Sequence, residues 1–292
     1  MLFIPITIAA ATFQVARNAT QRTLMGAGGP WGATQVRFVY GVPFTVVLLA
    51  VAMAIWPGET MRFSPTFWIG AAVGGAAQIG ATAALLSSMQ RSSFALGAAF
   101  QQSLLPFTSL IGFFLFGDVL SVQTSLGIAI VTIGIFVLSW PKEGITGDWS
   151  GAWFGLMAGA FFAISNNAFR QAGLSLGDIP APLAGVMTVL VVQTLQSLGL
   201  MAVLAFTDRP SLIAAFTSWR QSIWAGFFGA AASACWFTAL AMAPAGPVRA
   251  VGVVEMPLAA LAGRRLFSEK LTVLQWFAGT VTAVGVILAA LG

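Results

Sequence analysis

A lone carboxylate sits in the stretch G-V-V-E-M-P-L-A-A-L-A-G, residues 252–263. Glu255 is one of eight acids in the chain. The other seven (Glu59, Asp118, Glu143, Asp148, Asp178, Asp208 and Glu269) fall in or beside polar, turn-like breaks. Keeping an acid in hydrocarbon costs at least about 2.5–3.5 kcal/mol on insertion scales. Two chemistries account for it. The acid binds and releases a proton or a solute amine, or it forms a buried ion pair with an arginine such as Arg17 or Arg37. Arg249 is six residues away on the same segment, hence on another helix face, and is a poor intrahelical partner.

Amides supply a second kind of chemistry. Gln14, Arg17, Asn18 and Gln21 are spaced so that all four share one helical face. Gln78 and Thr82 are four apart, and Gln101, Gln102 and Ser103 are adjacent. Asn166 and Asn167 precede Arg170, and Ser233 and Trp236 are three apart. An amide both donates and accepts, so such a set can hold the amino and carboxylate groups of a zwitterionic solute. The candidate binding residues are Gln14, Asn18, Gln78, Thr82, Gln101, Gln102, Asn166, Asn167, Ser233 and Trp236. Phe13, Phe162 and Phe237 could add apolar walls. The same groups could instead tie helices together, at about 0.6–2 kcal/mol each. That second reading is favoured for Gln193 and Gln196.

Catalytic chemistry has little to draw on. There is no histidine, which removes His-based triads and His ligation of zinc or haem. Lys142 and Lys270, the two lysines, lie near segment ends, against a Schiff base buried in a helix bundle. No nucleotide-binding motif is present. No enzymatic activity, cofactor or metal is expected.

The elements that carry these residues follow from composition. The chain has 292 residues, 58% hydrophobic and only 7% charged, with mean hydropathy +0.91. A soluble domain carries about 25% charged residues. Apolar runs of about twenty residues recur along the chain, the length of a membrane-crossing helix. The alternating segments of a β-barrel are missing. The expected fold class is an all-α membrane protein with ten transmembrane helices. They fall at roughly 2–22, 31–56, 67–89, 92–116, 120–140, 150–170, 181–206, 219–242, 246–267 and 271–291. Breaks such as G-A-G-G-P (26–30), W-P-K-E-G (140–144) and D-R-P (208–210) separate them. Trp31, Trp56, Trp68, Trp140, Trp149 and Trp219 near their ends read as an aromatic belt.

The net charge of +5 is scattered, with no run longer than Arg264-Arg265, so no nucleic acid partner is expected. The lipid bilayer is the expected surrounding. Cys235 is the only cysteine and makes an intrachain disulfide impossible. The first apolar stretch runs into N-A-T-Q-R, so no cleavable signal peptide is expected.

Prolines punctuate two spans. Pro106 cannot donate to the Gln102 carbonyl, nor Pro257 to the Val253 carbonyl. Each freed carbonyl could accept from a solute, and each kink could be a hinge or a static bend. Gly70-x-x-x-Gly74 and Gly151-x-x-x-Gly155-x-x-x-Gly159 permit close helix contact.

The two halves resemble each other, 1–141 and 149–292, as a five-helix repeat and its copy. At an offset of 151, F-Q-Q-S-L-L-P-F (100–107) falls on V-G-V-V-E-M-P-L (251–258). Pro106 lands on Pro257, Phe116 on Phe267, Asp118 on Glu269, Leu120 on Leu271 and Gly134 on Gly285. Near the start of each half, Phe13 pairs with Phe162 and Asn18 with Asn167 at an offset of 149. An odd number of spans per repeat makes the second copy enter from the opposite side, an inverted repeat. Glu255 pairs with Leu104, so its site would be asymmetric.

The segments L-L-P-F-T-S-L-I-G-F-F-L-F-G-D-V-L-S (104–121) and E-M-P-L-A-A-L-A-G-R-R-L-F-S-E-K-L-T (255–272) resemble the recurring pattern of the drug/metabolite transporter superfamily, of the EamA-like kind. Arg37 near the start of span two also fits. Asp118 stands where that pattern has Glu, and Ser268 where it has Gly. The resemblance covers the whole chain. It implies a multi-pass protein of the bacterial inner membrane that exports small metabolites, amino acids foremost, by alternating access through a central cavity. The spans that form that cavity in the family are one, three, four, six, eight and nine. The energy would come from the proton gradient or from the solute's own gradient; Glu255 is the candidate proton-coupling residue, and Pro106 and Pro257 are the candidate hinges. A multidrug or nucleotide-sugar-type exchanger, or a non-transport assembly subunit, are the alternatives. The resemblance implies cytoplasmic termini. Arg22, Arg91, Lys142, Arg209, Arg220, Arg264, Arg265 and Lys270 cluster by odd-numbered loops, and by the positive-inside rule would put the termini outside.

Overall fold

The structure, a computed structural model, describes residues 2–111, 121–139, 148–243, 248 and 251–291. Phe116, Asp118, Leu120, Trp140, Lys142, Glu143 and Arg249, used above, lie outside the described residues. Regular structure among the described residues is helical: α1 (Phe3–Val39), α2 (Gly41–Ile55), α3 (Pro65–Arg91), α4 (Phe94–Phe100), α5 (Leu104–Ile111), α6 (Val122–Ser139), α7 (Ser150–Leu174), α8 (Ala181–Thr207), α9 (Arg209–Thr217), α10 (Trp219–Met242), α11 (Glu255–Phe267) and α12 (Val273–Leu291).

The burial pattern is the inverse of a water-soluble helix. On α8, Thr188, Gln193, Gln196 and Ser197 are buried, while Leu198 and Val203 are exposed and Phe206 is 92% exposed. On α2, Thr45 is buried, and Val47, Val51 and Ile55 face outward. Apolar outside and polar inside suits helices whose solvent is hydrocarbon. Among the described residues, four helical segments are long and apolar enough to cross a membrane: Gly28–Ile55, Pro65–Arg91, Ala181–Thr207 and Trp219–Met242. The chain is an all-α protein with helices suited to a bilayer.

Contacts divide it into two compact units, Met1–Ile79 with Ser165–Pro244, and Gly80–Ile164 with Ala245–Gly292. Each unit draws on both halves of the chain, so units and sequence repeats divide it differently.

In the first unit α1 packs along α10. The G-A-G-G-P break is a bend inside α1, with Gly28 at φ −132°, ψ 16° and Gly29 at φ 58°. The left-handed φ at position 29 favours glycine. Pro30 then restarts the helix with its φ already set. Gln21 Nε2 donates to the Ala33 carbonyl at 2.8 Å and braces the bend. The loop expected after D-R-P contains a further helix, α9. Asp208 caps it by accepting from the Ser211 N–H at 3.2 Å, with Pro210 in the first turn. A Cβ at Gly32 would lie 2.9 Å from the Ser211 carbonyl oxygen, so the glycine lets α9 dock on α1.

In the second unit, α6 and α12 pack as a reciprocal pair. A Cβ on Gly134 would stand 3.1 Å from Thr282 N and 3.2 Å from the Ala278 oxygen. A Cβ on Gly285 would stand 2.8 Å from Val131 N and 3.0 Å from the Gly127 oxygen. Each of these positions maps onto its counterpart by the shift of 151. Two surfaces that exchange contacts in this way are related by a local two-fold. Gly151, Gly155 and Gly159 of α7 lie against Ser92, Phe100 and Ser103–Leu104.

Both proline-containing spans of this unit are broken. Span four divides into α4 and α5 through a 3-10 turn, Gln101–Ser103. Span nine has a turn at Val253–Val254 before α11 begins. The expectation of a free carbonyl is overturned at Val253. The Leu104 N–H turns to the Gln101 and Gln102 carbonyls. The Met256 N–H donates to the Val253 carbonyl at 2.9 Å. A carbonyl that loses its i+4 donor is recovered by tightening the turn, because leaving it bare in an apolar setting costs more.

Candidate functional site

In the first unit the polar face of α1 meets one stripe of α10. That stripe is Gly226, Gly229, Ser233 and Trp236, spaced three, four and three apart. At Gly226 a Cβ would run into the Tyr40 backbone, so the glycine sets a close approach. The Trp236 indole N–H donates to Gln14 Oε1 at 2.9 Å. One turn along, Arg17 Nη2 and Nε donate to Oδ1 of Asn18 at 2.6 and 3.1 Å. Asn18 Nδ2 is buried with no hydrogen-bond partner. Arg37, beyond the bend, reaches Ser233 Oγ with Nη2 at 3.5 Å. A Cβ at Gly229 would lie 3.0 Å from Arg37 Cγ and 3.6 Å from Arg17 Cδ. Both arginines therefore cross α10 at the same bare position. Arg17 is 2% exposed and Arg37 1%.

The structure thus brings Gln14, Asn18, Ser233 and Trp236 into one row with the two arginines. Gln78 is held elsewhere: Gln196 Nε2 donates to its Oε1 at 2.9 Å and to the Gly75 carbonyl at 3.1 Å. Gln193 Oε1 lies 2.7 Å from the Thr45 hydroxyl. The α8 amides thus tie α8 to α2 and α3. Asn166 and Asn167 are half-buried on α7. Phe13 stacks with Phe228 at 6.4 Å and meets Phe227 edge-on at 6.3 Å. Phe237 lies 5.1 Å from Phe169.

The second unit holds the remaining candidates. Thr82, Gln101 and Gln102 are buried, the two amides at the 3-10 turn before Pro106. Gln101 Oε1 and Ser103 Oγ have no hydrogen-bond partner. Glu255 is 2% exposed and is the first residue of α11. The acid therefore stands at the start of α11, near the positive end of the helix dipole, with Pro257 in the first turn.

Sequence reasoning missed three contributors. Gly229 shares the stripe of Ser233 and Trp236, and its spacing to them was the available signal. The Gln35 Nε2 bond to the Ser197 carbonyl at 3.0 Å joins α1 to α8. Glu269 caps α4 through space, accepting from the Phe94 and Ala95 N–H groups at 2.8 and 3.4 Å. Phe94 and Phe267 pack 5.3 Å apart beside it. Outside the helices, Asp148 caps α7. The Ser150 N–H (2.8 Å) and hydroxyl (2.9 Å) hold its carboxyl below the ordinary aspartate range.

No family model and no curated protein matches the sequence. A solved structure described only as "Crystal structure of protein" is similar, with a TM-score of 0.56 at 17% identity. The likeness covers 100% of this chain and 96% of that one. At that identity it is a likeness of fold.

Proposed function

We propose that the chain is a secondary transporter of the drug/metabolite transporter superfamily, EamA-like, with ten spans in a bacterial inner membrane. It exports small metabolites, amino acids foremost, by alternating access. The observation that carries this reading is the buried row Gln14, Arg17, Asn18, Arg37, Ser233 and Trp236, enclosed by helices that are apolar outside. Buried charges and amides in such helices are expensive and mark solute paths. The reciprocal α6–α12 contacts support an inverted repeat, the common plan of secondary transporters.

In this mechanism the solute's polar groups exchange water for the amide and guanidinium donors of the row. The Trp236 ring gives its side chain an apolar wall. Glu255 takes up a proton as solute leaves and releases it to the other side. The breaks before Pro106 and Pro257 let the two half-helices of each span swing, because each proline lacks the N–H that would donate to the residue four before it. No chemical transformation of the solute is part of the cycle.

Export by cells that carry the chain, compared with cells that lack it, tests the substrate class. Faster loss of preloaded amino acids is expected. If another metabolite class leaves faster while amino-acid efflux is unchanged, the substrate assignment is wrong and the transport assignment stands.

A further inference from the structure

We infer that a cleft beside the Pro106 break seats one acyl chain of a bilayer lipid. This rests on the membrane-spanning reading above and goes beyond it to a lipid site.

The cleft lies wholly within the second unit and has a volume of about 620 Å³. Pro106 and Leu110 of α5, Phe136 of α6, Trp149 just before α7 and Trp153 within it are among its walls. Its position repeats. The lining residues Ser103, Pro106 and Thr132 map by the shift of 151 onto Val254, Pro257 and Ala283, which line a second cleft of about 280 Å³. A cleft beside each proline is thus a feature of the repeated segment, and the larger one has room for a chain.

Three observations choose the occupant. The rim is continuous with the outward apolar surface: Leu110 is 48% exposed, Phe136 55% and Trp153 65%. Hydrocarbon can therefore enter from the side. The depth is that of one leaflet. Gly151 lies against Ser92 and Gly159 against Ser103, so the cleft runs from Ser150 at the start of α7 inward to Ser103. From Ser150 to Gly159 the helix rises about 14 Å, near half of a hydrocarbon core of about 30 Å. Trp149 and Trp153 stand at the outer end, as interfacial aromatics do. The lining hydroxyls, finally, do not serve a polar ligand. Thr132 Oγ1 donates to the Ile128 carbonyl at 2.8 Å, the Ser150 hydroxyl donates to Asp148 at 2.9 Å, and Ser103 Oγ is packed against Gly159. A site for a metabolite carries a few convergent polar groups, and a hydrocarbon chain needs none. At the outer end Asp148 and Arg91 are both exposed, one charge of each sign, so headgroup charge is not what selects the lipid.

The test uses the full chain purified in detergent and given phosphatidylcholines with paired saturated chains, from octanoyl to stearoyl. Native mass spectrometry reads the lipid retained. One tightly held lipid is expected, its affinity rising up to about fourfold for each methylene the cleft takes in and then levelling off. Exchanging choline for glycerol at fixed chain length is expected to matter less. Thr132→Trp puts a ring into the cleft and is expected to lower affinity at least about tenfold, since it displaces two or more methylenes. Ile133→Trp, also exposed on α6 but outside the lining, is expected to change nothing. If Thr132→Trp does not fold, a lipid with a diazirine on its chain reads the same claim in the unaltered protein. Cross-links are expected on Ile135, which lines the cleft and is 4% exposed, ahead of Ile133, which is 60% exposed. Equal retention in the two Trp variants, or cross-links that follow exposure, overturns the seat. Retention set by the headgroup and not by chain length overturns the acyl assignment. Dimers that Thr132→Trp disperses would make a second copy of the chain the occupant and overturn it as well. Solute flux without a retained lipid overturns the seat and spares the transport reading. A retained lipid without flux leaves the seat standing and counts against transport.

Discussion

A methyl group at position 229 would crowd Arg37 Cγ at 3.0 Å and come into contact with Arg17 Cδ at 3.6 Å. Gly229→Val should therefore lower stability by about 1–3 kcal/mol, as overpacking does, and thermal unfolding in nanodiscs would measure it. A smaller and separate effect is expected at Glu269. Glu269→Ala removes the acceptor for the Phe94 and Ala95 N–H groups, for a loss of about 0.5–2 kcal/mol. Faster hydrogen exchange should be confined to the start of α4. The polar face of α1 was legible because three- and four-residue spacing is a local property of a helix. Gln14, Arg17, Asn18 and Gln21 are indeed all buried. Their partners on α10 lie more than two hundred residues away, and no local pattern reports that distance. The Gln78–Gln196 pair was hidden for the same reason.

At the scale of elements, hydrophobic runs located α3, α6, α8 and α10 to within a few residues, whereas α1 runs on past the end of span one and through the bend into span two. They did not reveal α9, a nine-residue helix whose cap, Asp208, reads equally well as a turn. The prolines marked the breaks in spans four and nine, yet the Val253 carbonyl that Pro257 deprives is re-bonded by a tighter turn. Sequence shows which donor is missing, and the backbone's adjustment appears only in three dimensions. The α6–α12 pair was foreshadowed by the alignment of Gly134 with Gly285. Because the two contacts are equivalent, Gly134→Leu and Gly285→Leu should destabilise by similar amounts, about 1–3 kcal/mol each. Chemical unfolding of the two single variants checks this. A large effect at one and none at the other would break the equivalence.

For the whole molecule, composition alone decided the solvent. A chain with 7% charged residues cannot cover a water-facing surface, and the exposed Val47, Val51, Val203 and Phe206 follow from it. On the proposed transport reading, solute choice falls to a few buried groups whose spatial grouping the sequence does not encode locally. The central claim, that this chain alone carries solute across a bilayer, is tested most directly by efflux from proteoliposomes. The vesicles hold radiolabelled amino acid and contain only the purified chain. Saturable efflux is expected, accelerated when a pH difference drives protons inward, with the acceleration lost in Glu255→Gln. Efflux no faster than from protein-free vesicles, for amino acids and for other metabolites alike, would contradict the account.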